Sequence, residues 1–268
     1  MGLPRLHVFE LEDLPWFPAT IRDLATDYLR FMSSRLSLHR PMVPLIAGAL
    51  RESGETRLVD LCSGGGGPVL DIQRELGAEG LDVEVLLTDL YPNVSAFEGA
   101  KAAASGRVSY LGEPVDATRV DPRLPGCRTL FNGFHHFAPA EAEKILADAA
   151  TDRRPIAIFE IPERSLLALV PFLFTPVFVW LTTPLIRPFR WSRLFWTYIL
   201  PLVPVTCWWD GIVSHLRAYT VPELESLAAK VEVPGYRWRA GRTGLERSPG
   251  NVTYLIGVPD LLSGSASA

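Results

Sequence analysis

Three stretches of this chain carry residue types that could do chemistry. In "DLCSGGGG" (60–67), a carboxylate, Asp60, and a thiol, Cys62, stand just before four consecutive glycines. Glycines add no side chain to a core, and inside a helix or strand they lose more backbone entropy than any other residue. Their use is a positive φ and room for something to approach the main chain. In "FNGFHHF" (131–137), His135 and His136 are imidazoles with an ordinary pKa close to neutrality. Such a group can remove a proton from an O–H, N–H or activated C–H. In "WWDGIVSHLRAYT" (208–220), the polar groups Asp210, His215, Arg217 and Tyr219 crowd together directly after an apolar run, as the lining of a substrate pocket would. Asp210 and Arg217 would equally serve as an ion pair near a helix end.

The elements that must position these residues can be read from periodicity. "RLVDLC" (57–62) is a short apolar run ending at the glycines, as a buried parallel strand would, and "GPVLDIQREL" continues at helical spacing. "VEVLLTDL" (83–90), "RVSYL" (107–111), "RTLFNGF" (128–134) and "PIAIFEI" (155–161) read as further strands. A helix over 138–150 has Pro139 in its first turn, and another covers 221–231. Strands alternating with helices imply a mostly parallel sheet covered on both faces. The rhythm changes at the end. "GYRWRAGR" and "NVTYLIGVP" are joined by a short polar connection with no room for a helix, so they form an antiparallel hairpin at the sheet edge.

A glycine turn between a first strand and its helix presents backbone N–H groups at a positive helix end. The dinucleotide pattern G-x-G-x-x-G is incomplete, because Val69 stands three residues after Gly66, and no Gly-Lys-Ser/Thr follows for a phosphate loop. A nicotinamide-dependent reductase is therefore disfavoured. "VDLCSGGGGPVLDI" instead resembles motif I of class I S-adenosyl-L-methionine (SAM) dependent methyltransferases, with Cys62 where a glycine is common. The resemblance implies that the backbone around Gly64 and Gly66 lies against the cofactor, with Asp60 positioning the turn and Cys62 beside it. It implies that Asp89, followed by Leu90, accepts hydrogen bonds from the ribose hydroxyls. It implies that Asp116 and Ala117 in "VDAT" face the adenine, and that Asn132 and the strand-four loop floor the site. These motifs span about 55–162, and the terminal hairpin matches the family topology. The chain also resembles a bacterial group of methyltransferase-like proteins carrying "LPWFP", "FHHF" and "WDG-x-VS-x-LR-x-Y".

The fold expected is thus an α/β, Rossmann-like class I methyltransferase sheet with an N-terminal helical cap over 1–50, in which Trp16 closes the site, and a methyltransferase domain over 51–268. A base, His135 or His136, would assist methyl transfer. In an extended segment adjacent side chains point to opposite sides, so only one imidazole would face the methyl group. No acidic residue stands at a usable spacing from either, and Cys62, Cys127 and Cys207 are far apart, so no metal site is expected. A second reading keeps the SAM-type pocket on a binding or scaffold protein without transferase activity.

The insertion expected over 165–209 is the unusual part. "LLALVPFLFTPVFVWLTTPLI" (166–186) and "LFWTYILPLVPVTCWW" (194–209) are uncharged, and Arg187, Arg190 and Arg193 lie between them. The first run is long enough, at about 30 Å, to cross a bilayer core; the second is short, at about 24 Å. Both flanking strands belong to one sheet, so the chain crosses an even number of times or not at all. A spanning hairpin would carry the arginines to the far side, against the positive-inside tendency. An element lying in one leaflet, with arginines snorkelling to the headgroups, fits better. A soluble lid or dimer interface is the third alternative. A leaflet-bound insertion would suit a small hydrophobic acceptor.

Of 268 residues 48% are apolar and 21% charged, with a formal net charge of −4. That balance gives no reason to expect a nucleic-acid partner. Cysteine usage suits a reducing compartment, and "MGLPRLHVFELEDLPWF" has no apolar leader core, so a cytoplasmic, membrane-associated protein is expected. The tail "SGSASA" reads as unstructured.

Overall fold

The computed structural model describes residues 3–104 and 106–260, so the terminal "SGSASA" lies outside the described residues. Its centre is a seven-stranded sheet of β1 (Arg57–Asp60), β2 (Glu84–Leu87), β3 (Val108–Tyr110), β4 (Cys127–Phe131), β5 (Ile156–Glu160), β6 (Tyr236–Gly244) and β7 (Asn251–Pro259). The order is β3-β2-β1-β4-β5-β7-β6. β1 to β5 are parallel, and β7 runs antiparallel to both β5 and β6. The expected parallel sheet and terminal hairpin are both present. Strand ends are shorter than the apolar runs suggest. β1 stops at Asp60 because Cys62 has turned to φ +59°, and β2 stops at Leu87, leaving Asp89 in a loop.

Every residue of β4 and of β5 is buried, as strands covered on both faces must be. On one face α2 (Val43–Ser53), α3 (Val69–Ala78) and α4 (Val94–Ala103) build a core around Ile46, Ile72 and Phe97. On the other, α5 (Pro139–Thr151) and α10 (Val221–Ala228) pack Ile145, Leu146 and Leu224 on Leu130 and Ile158. β6, at the sheet edge, alternates between covered and exposed positions.

A third apolar cluster stands apart from the sheet. α1 (Ala19–Arg35) contributes Ile21, Leu24, Ala25 and Tyr28, and the insertion contributes Val179, Ile186, Val203 and Cys207. The 1–50 region therefore divides: α1 joins the insertion, while α2 covers the sheet. Within the insertion, α6 (Leu166–Leu169), α7 (Thr175–Thr182) and α8 (Trp191–Leu194) are short and separated by 3₁₀ or π turns. Pro171, Pro176 and Pro184 each enter the first turn of a new segment, where the missing N–H costs nothing. α9 (Leu202–Arg217) then leads back to the sheet, at 74° to the helical stretch before it. Its Gly211 admits the Phe172 ring, which lies 2.6 Å from where a β-carbon would stand. "WDG" is thus partly a packing motif.

Candidate active site

The sheet order reverses at β1, with β2 on one side and β4 on the other. Open α/β sheets bind ligands in the crevice outside the carboxyl ends of strands at such a point. The glycine turn sits there. Asp60 is buried, and its Oδ1 accepts a hydrogen bond from Thr129 Oγ1 on β4 at 2.9 Å. Burial pushes its carboxyl up to about 7 against hydrogen bonds from Ser63 and Thr129. Ser63 Oγ donates to Asp60 O and accepts from Thr88 N–H, tying the ends of β1 and β2 together. Asp89 reaches across this junction. Its Oδ2 accepts from Gly64 N–H and its Oδ1 from Tyr91 N–H, each at 2.8 Å. Each carboxylate oxygen keeps a second lone pair for a ligand.

Cys62 occupies the left-handed region at φ +59°. That conformation costs a residue with a β-carbon roughly 1–2 kcal/mol, which explains why glycine is the commoner choice at this point of the motif. Burial pushes the Cys62 thiol well up, so it is a packing group and not a thiolate. Leu90 is half exposed. Asp116 closes a small turn on Thr118, with Ala117 buried beside it. Asn132, at φ +52°, accepts from Ile161 N–H and joins the ends of β4 and β5. α1 lies directly over the turn: a β-carbon on Gly65 would stand 2.9 Å from the Thr26 methyl.

The histidines are placed differently from expectation. Phe134–His136 is a 3₁₀ turn, so the two imidazoles do not point apart; their centroids are 4.3 Å from each other. His135 is buried, with Nδ1 2.5 Å from Glu160 Oε2 and Nε2 3.6 Å from Glu10 Oε1. Burial alone would push its pKa down, but the carboxylates of Glu160 and Glu10 reverse this and hold the imidazole up at about 10. A ring so held is protonated at neutral pH and is no general base. His136 is 21% exposed, with Nδ1 2.8 Å from Asp13 Oδ1 and Nε2 3.6 Å from Glu12 Oε1. Burial lowers its pKa and its neighbouring imidazolium does too, yet Glu10 and Asp13 leave it raised.

The residues expected to line a substrate pocket instead hold the N-terminal segment. Asp210 and Arg217 do not pair with each other. Asp210 accepts from Leu11 N–H and Glu12 N–H at 2.7 and 3.3 Å. Arg217 pairs with Asp13 at 2.5 Å and Glu10 at 3.1 Å, and donates to His136 O. Tyr219 donates to Phe137 O, with the Arg5 guanidinium 4.1 Å above its ring. His215 is buried, bonded to Gly211 O and packed on Phe172. Trp16 is 72% exposed and closes nothing.

Glu10, Asp13 and Glu160 were not singled out by sequence reasoning. Two signals pointed to them: the acidic run "FELED" just before "LPWFP", and a carboxylate ending the otherwise apolar strand β5. The "FELED", "FHHF" and "WWDGIVSHLR" stretches thus meet in one ionic cluster beside the carboxyl ends of β4 and β5.

No protein-family model matches the chain, and no curated protein does. Solved structures are similar at low identity. An O-methyltransferase family protein from Burkholderia thailandensis is 16% identical with a TM-score of 0.47, over 87% of this chain and 59% of that one. The pyocyanin biosynthetic protein PhzM is 14% identical with a TM-score of 0.49, over 85% of this chain and 55% of that one. The methyltransferase domain of bacterial CtHen1-C is 14% identical with a TM-score of 0.49, over 84% of this chain and all of that one. The chain thus spans less than two thirds of the first two. By its own strand order and its reversed seventh strand, this chain has the class I methyltransferase fold.

Proposed function

We propose that the protein is a SAM-dependent methyltransferase acting on a small, lipophilic acceptor. The observation that carries this reading is the join of Asp89 to the Gly64 amide at the point where the sheet order reverses. It sets a ribose-binding carboxylate and a glycine turn on one rim of the crevice. The residues fit the cofactor: Asp89 keeps acceptor capacity for the ribose hydroxyls, the glycine turn admits a close ligand, and we assign Asp116 and Ala117 to the adenine. When bound there, the cofactor supplies an electrophilic methyl group on a sulfonium.

The chain's own part is chiefly positioning of the acceptor in line with that group. α1 lies over Gly65, with the Thr26 methyl against it. Proton removal does not fall to His135, which is held as the imidazolium; His136 is tied to Asp13 in the same ionic cluster, so we assign the base to neither ring.

The insertion supports an acceptor taken from a lipid surface. Eighteen large apolar side chains between Leu166 and Val205 are exposed, Leu167 by 83% and Leu181 by 69%. Contiguous apolar area of that extent marks an interaction surface. The helical run Leu166–Leu185 is long and apolar enough to cross a membrane, yet its inner face packs on α1, whose Arg22, Asp23, Asp27 and Arg30 would have to enter the bilayer with a spanning hairpin. An element lying in one leaflet, α1 behind it, agrees with this packing. The arginine expectation needs correction. Arg193 does not snorkel: it is buried on Asp27 and on the carbonyls of Ile186 and Pro188, and Arg190 also reaches Asp27. Only Arg187 of the three is left with no carboxylate partner among the described residues.

Calorimetric titration with S-adenosylhomocysteine, in detergent, tests the first part. Wild type is expected to bind and Asp89→Ala to lose roughly tenfold or more, as for a lost hydrogen bond to a charged group; no binding by wild type removes the reading. Turnover with a pool of hydrophobic acceptors separates a transferase from a SAM-binding scaffold. For the surface, replacing Leu167, Phe174 and Leu181 together by Ser is expected to lower partitioning onto phospholipid vesicles at least tenfold, by loss of apolar area. Unchanged partitioning would leave the soluble-lid reading in its place.

A further inference from the structure

Among the buried polar atoms of the ionic cluster that make no hydrogen bond are Glu10 Oε1, which has the Arg217 guanidinium at 3.1 Å, and His135 Nε2. They face each other at 3.6 Å, beyond hydrogen-bond length. The other Glu10 oxygen lies 3.7 Å from His136 Nδ1. One donor atom from each of Glu10, His135 and His136 falls within 4.8 Å of the others. Ligands held at about 2.0–2.1 Å by a tetrahedral ion are about 3.3 Å from one another. Each of these two edges, which start from different Glu10 oxygens, is within a few tenths of an ångström of that spacing.

We propose that Glu10, His135 and His136 form a binding site for a divalent transition-metal ion of the zinc class, joining the N-terminal segment to the turn after β4. Imidazole and carboxylate are the ligand types such an ion takes at a His₂Glu site. Glu160, 2.5 Å from His135 Nδ1, supplies what a metal-binding histidine usually has on its other nitrogen: a carboxylate that holds the Nδ1 hydrogen, so that an ion displacing the Nε2 proton meets a ring already aimed at it. Asp13 Oδ1, 2.8 Å from His136 Nδ1, is placed to add a further oxygen.

Charge argues in the same direction. Glu10, Glu12, Asp13 and Glu160 surround the two imidazoles, with the Arg217 guanidinium on Glu10 and Asp13 and the Arg5 guanidinium on the His135 carbonyl. Two guanidinium groups against four carboxylates leave a surplus of negative charge in a largely buried place. A divalent ion between the rings would meet that surplus. A single proton does not bridge the 3.6 Å between Glu10 Oε1 and His135 Nε2; an ion centred between them does. Arg217 also lies 3.1 Å from Glu10 Oε1, so the site holds its ion beside a guanidinium that stays anchored on Asp13.

The test uses the full chain in detergent, stripped with a chelator and titrated with Co²⁺. One equivalent is expected to bind with the intense visible d–d bands of a four- or five-coordinate ion, and Zn²⁺ is expected to displace it. Glu10→Gln and His136→Ala should each weaken binding at least about 100-fold. Glu160→Gln, which acts through His135, should weaken it about 10–100-fold and keep the band shape. His136 is partly exposed, so the far-ultraviolet circular dichroism of His136→Ala should match wild type. Absence of stoichiometric uptake by wild type overturns the proposal and leaves an ion-pair lock of two imidazolium rings. Uptake insensitive to Glu10→Gln and His136→Ala overturns it as well, since the ion then sits elsewhere. Neither result touches the S-adenosylhomocysteine titration.

Discussion

The central strands and the insertion have similar apolar residues and opposite fates. In β4 and β5, Leu130, Ile156, Ile158 and Phe159 are fully buried between two helix layers. In the insertion, Leu167, Leu173, Phe174 and Leu181 stand more than half exposed. The difference is covering. Each face of the sheet is matched by helices of its own chain, whereas the apolar cluster of the insertion packs on α1, which covers one face. An apolar sequence becomes core only where another element supplies the opposite wall.

The contrast can be broken at several points, beginning with the largest effect. Phe97→Ala, in the sheet core, is expected to cost about 3–5 kcal/mol in denaturant unfolding. A loss under 1 kcal/mol would mean that this layer is far less tightly packed than described. Arg193→Met should cost about 2–4 kcal/mol by leaving Asp27 without its buried partner, and should raise hydrogen exchange in α1 and the insertion before the sheet. Equal exchange changes throughout would show that the third cluster is no separate unit.

Asp60→Asn probes the sheet's functional end. Its folded pKa, about 7, lies above the ordinary 3.8. The native state therefore binds the proton more tightly than the unfolded chain does. This group's contribution is full below about pH 4 and is lost as pH rises to 7. The variant should gain stability over wild type across that range, on the order of 1 kcal/mol or more, and level off above it. A gain independent of pH would show that the carboxyl is not protonated in the native state. The smallest effect belongs to the Leu167, Phe174 and Leu181 triple Ser variant: within about 0.5 kcal/mol per site in solution. A large loss there would show that a second wall covers the insertion.

These contrasts mark how far the chain can be read unaided. Strand and helix periods, the Gly64–Gly67 turn, Asp89 just after β2 and the terminal hairpin are local or nearly local. Each follows from side-chain alternation, glycine's tolerance of positive φ and the length of a connection. The ionic cluster is not of that kind. Glu10, His135, Glu160 and Arg217 lie more than twenty residues from one another in every pairing, so no spacing rule links them. Their meeting depends on how the N-terminal segment is tied down by Asp210 and Arg217.

The sequence alone determined the order of elements, the cofactor-type turn and the presence of a long apolar insertion, because those are written in period and composition. Tertiary structure alone decided that His135 is locked in ion pairs, that Arg193 faces inward and that Asp210 and Arg217 hold the N-terminal segment. Burial and the partners met across the fold set a side chain's charge and direction, and those partners come from distant parts of the chain.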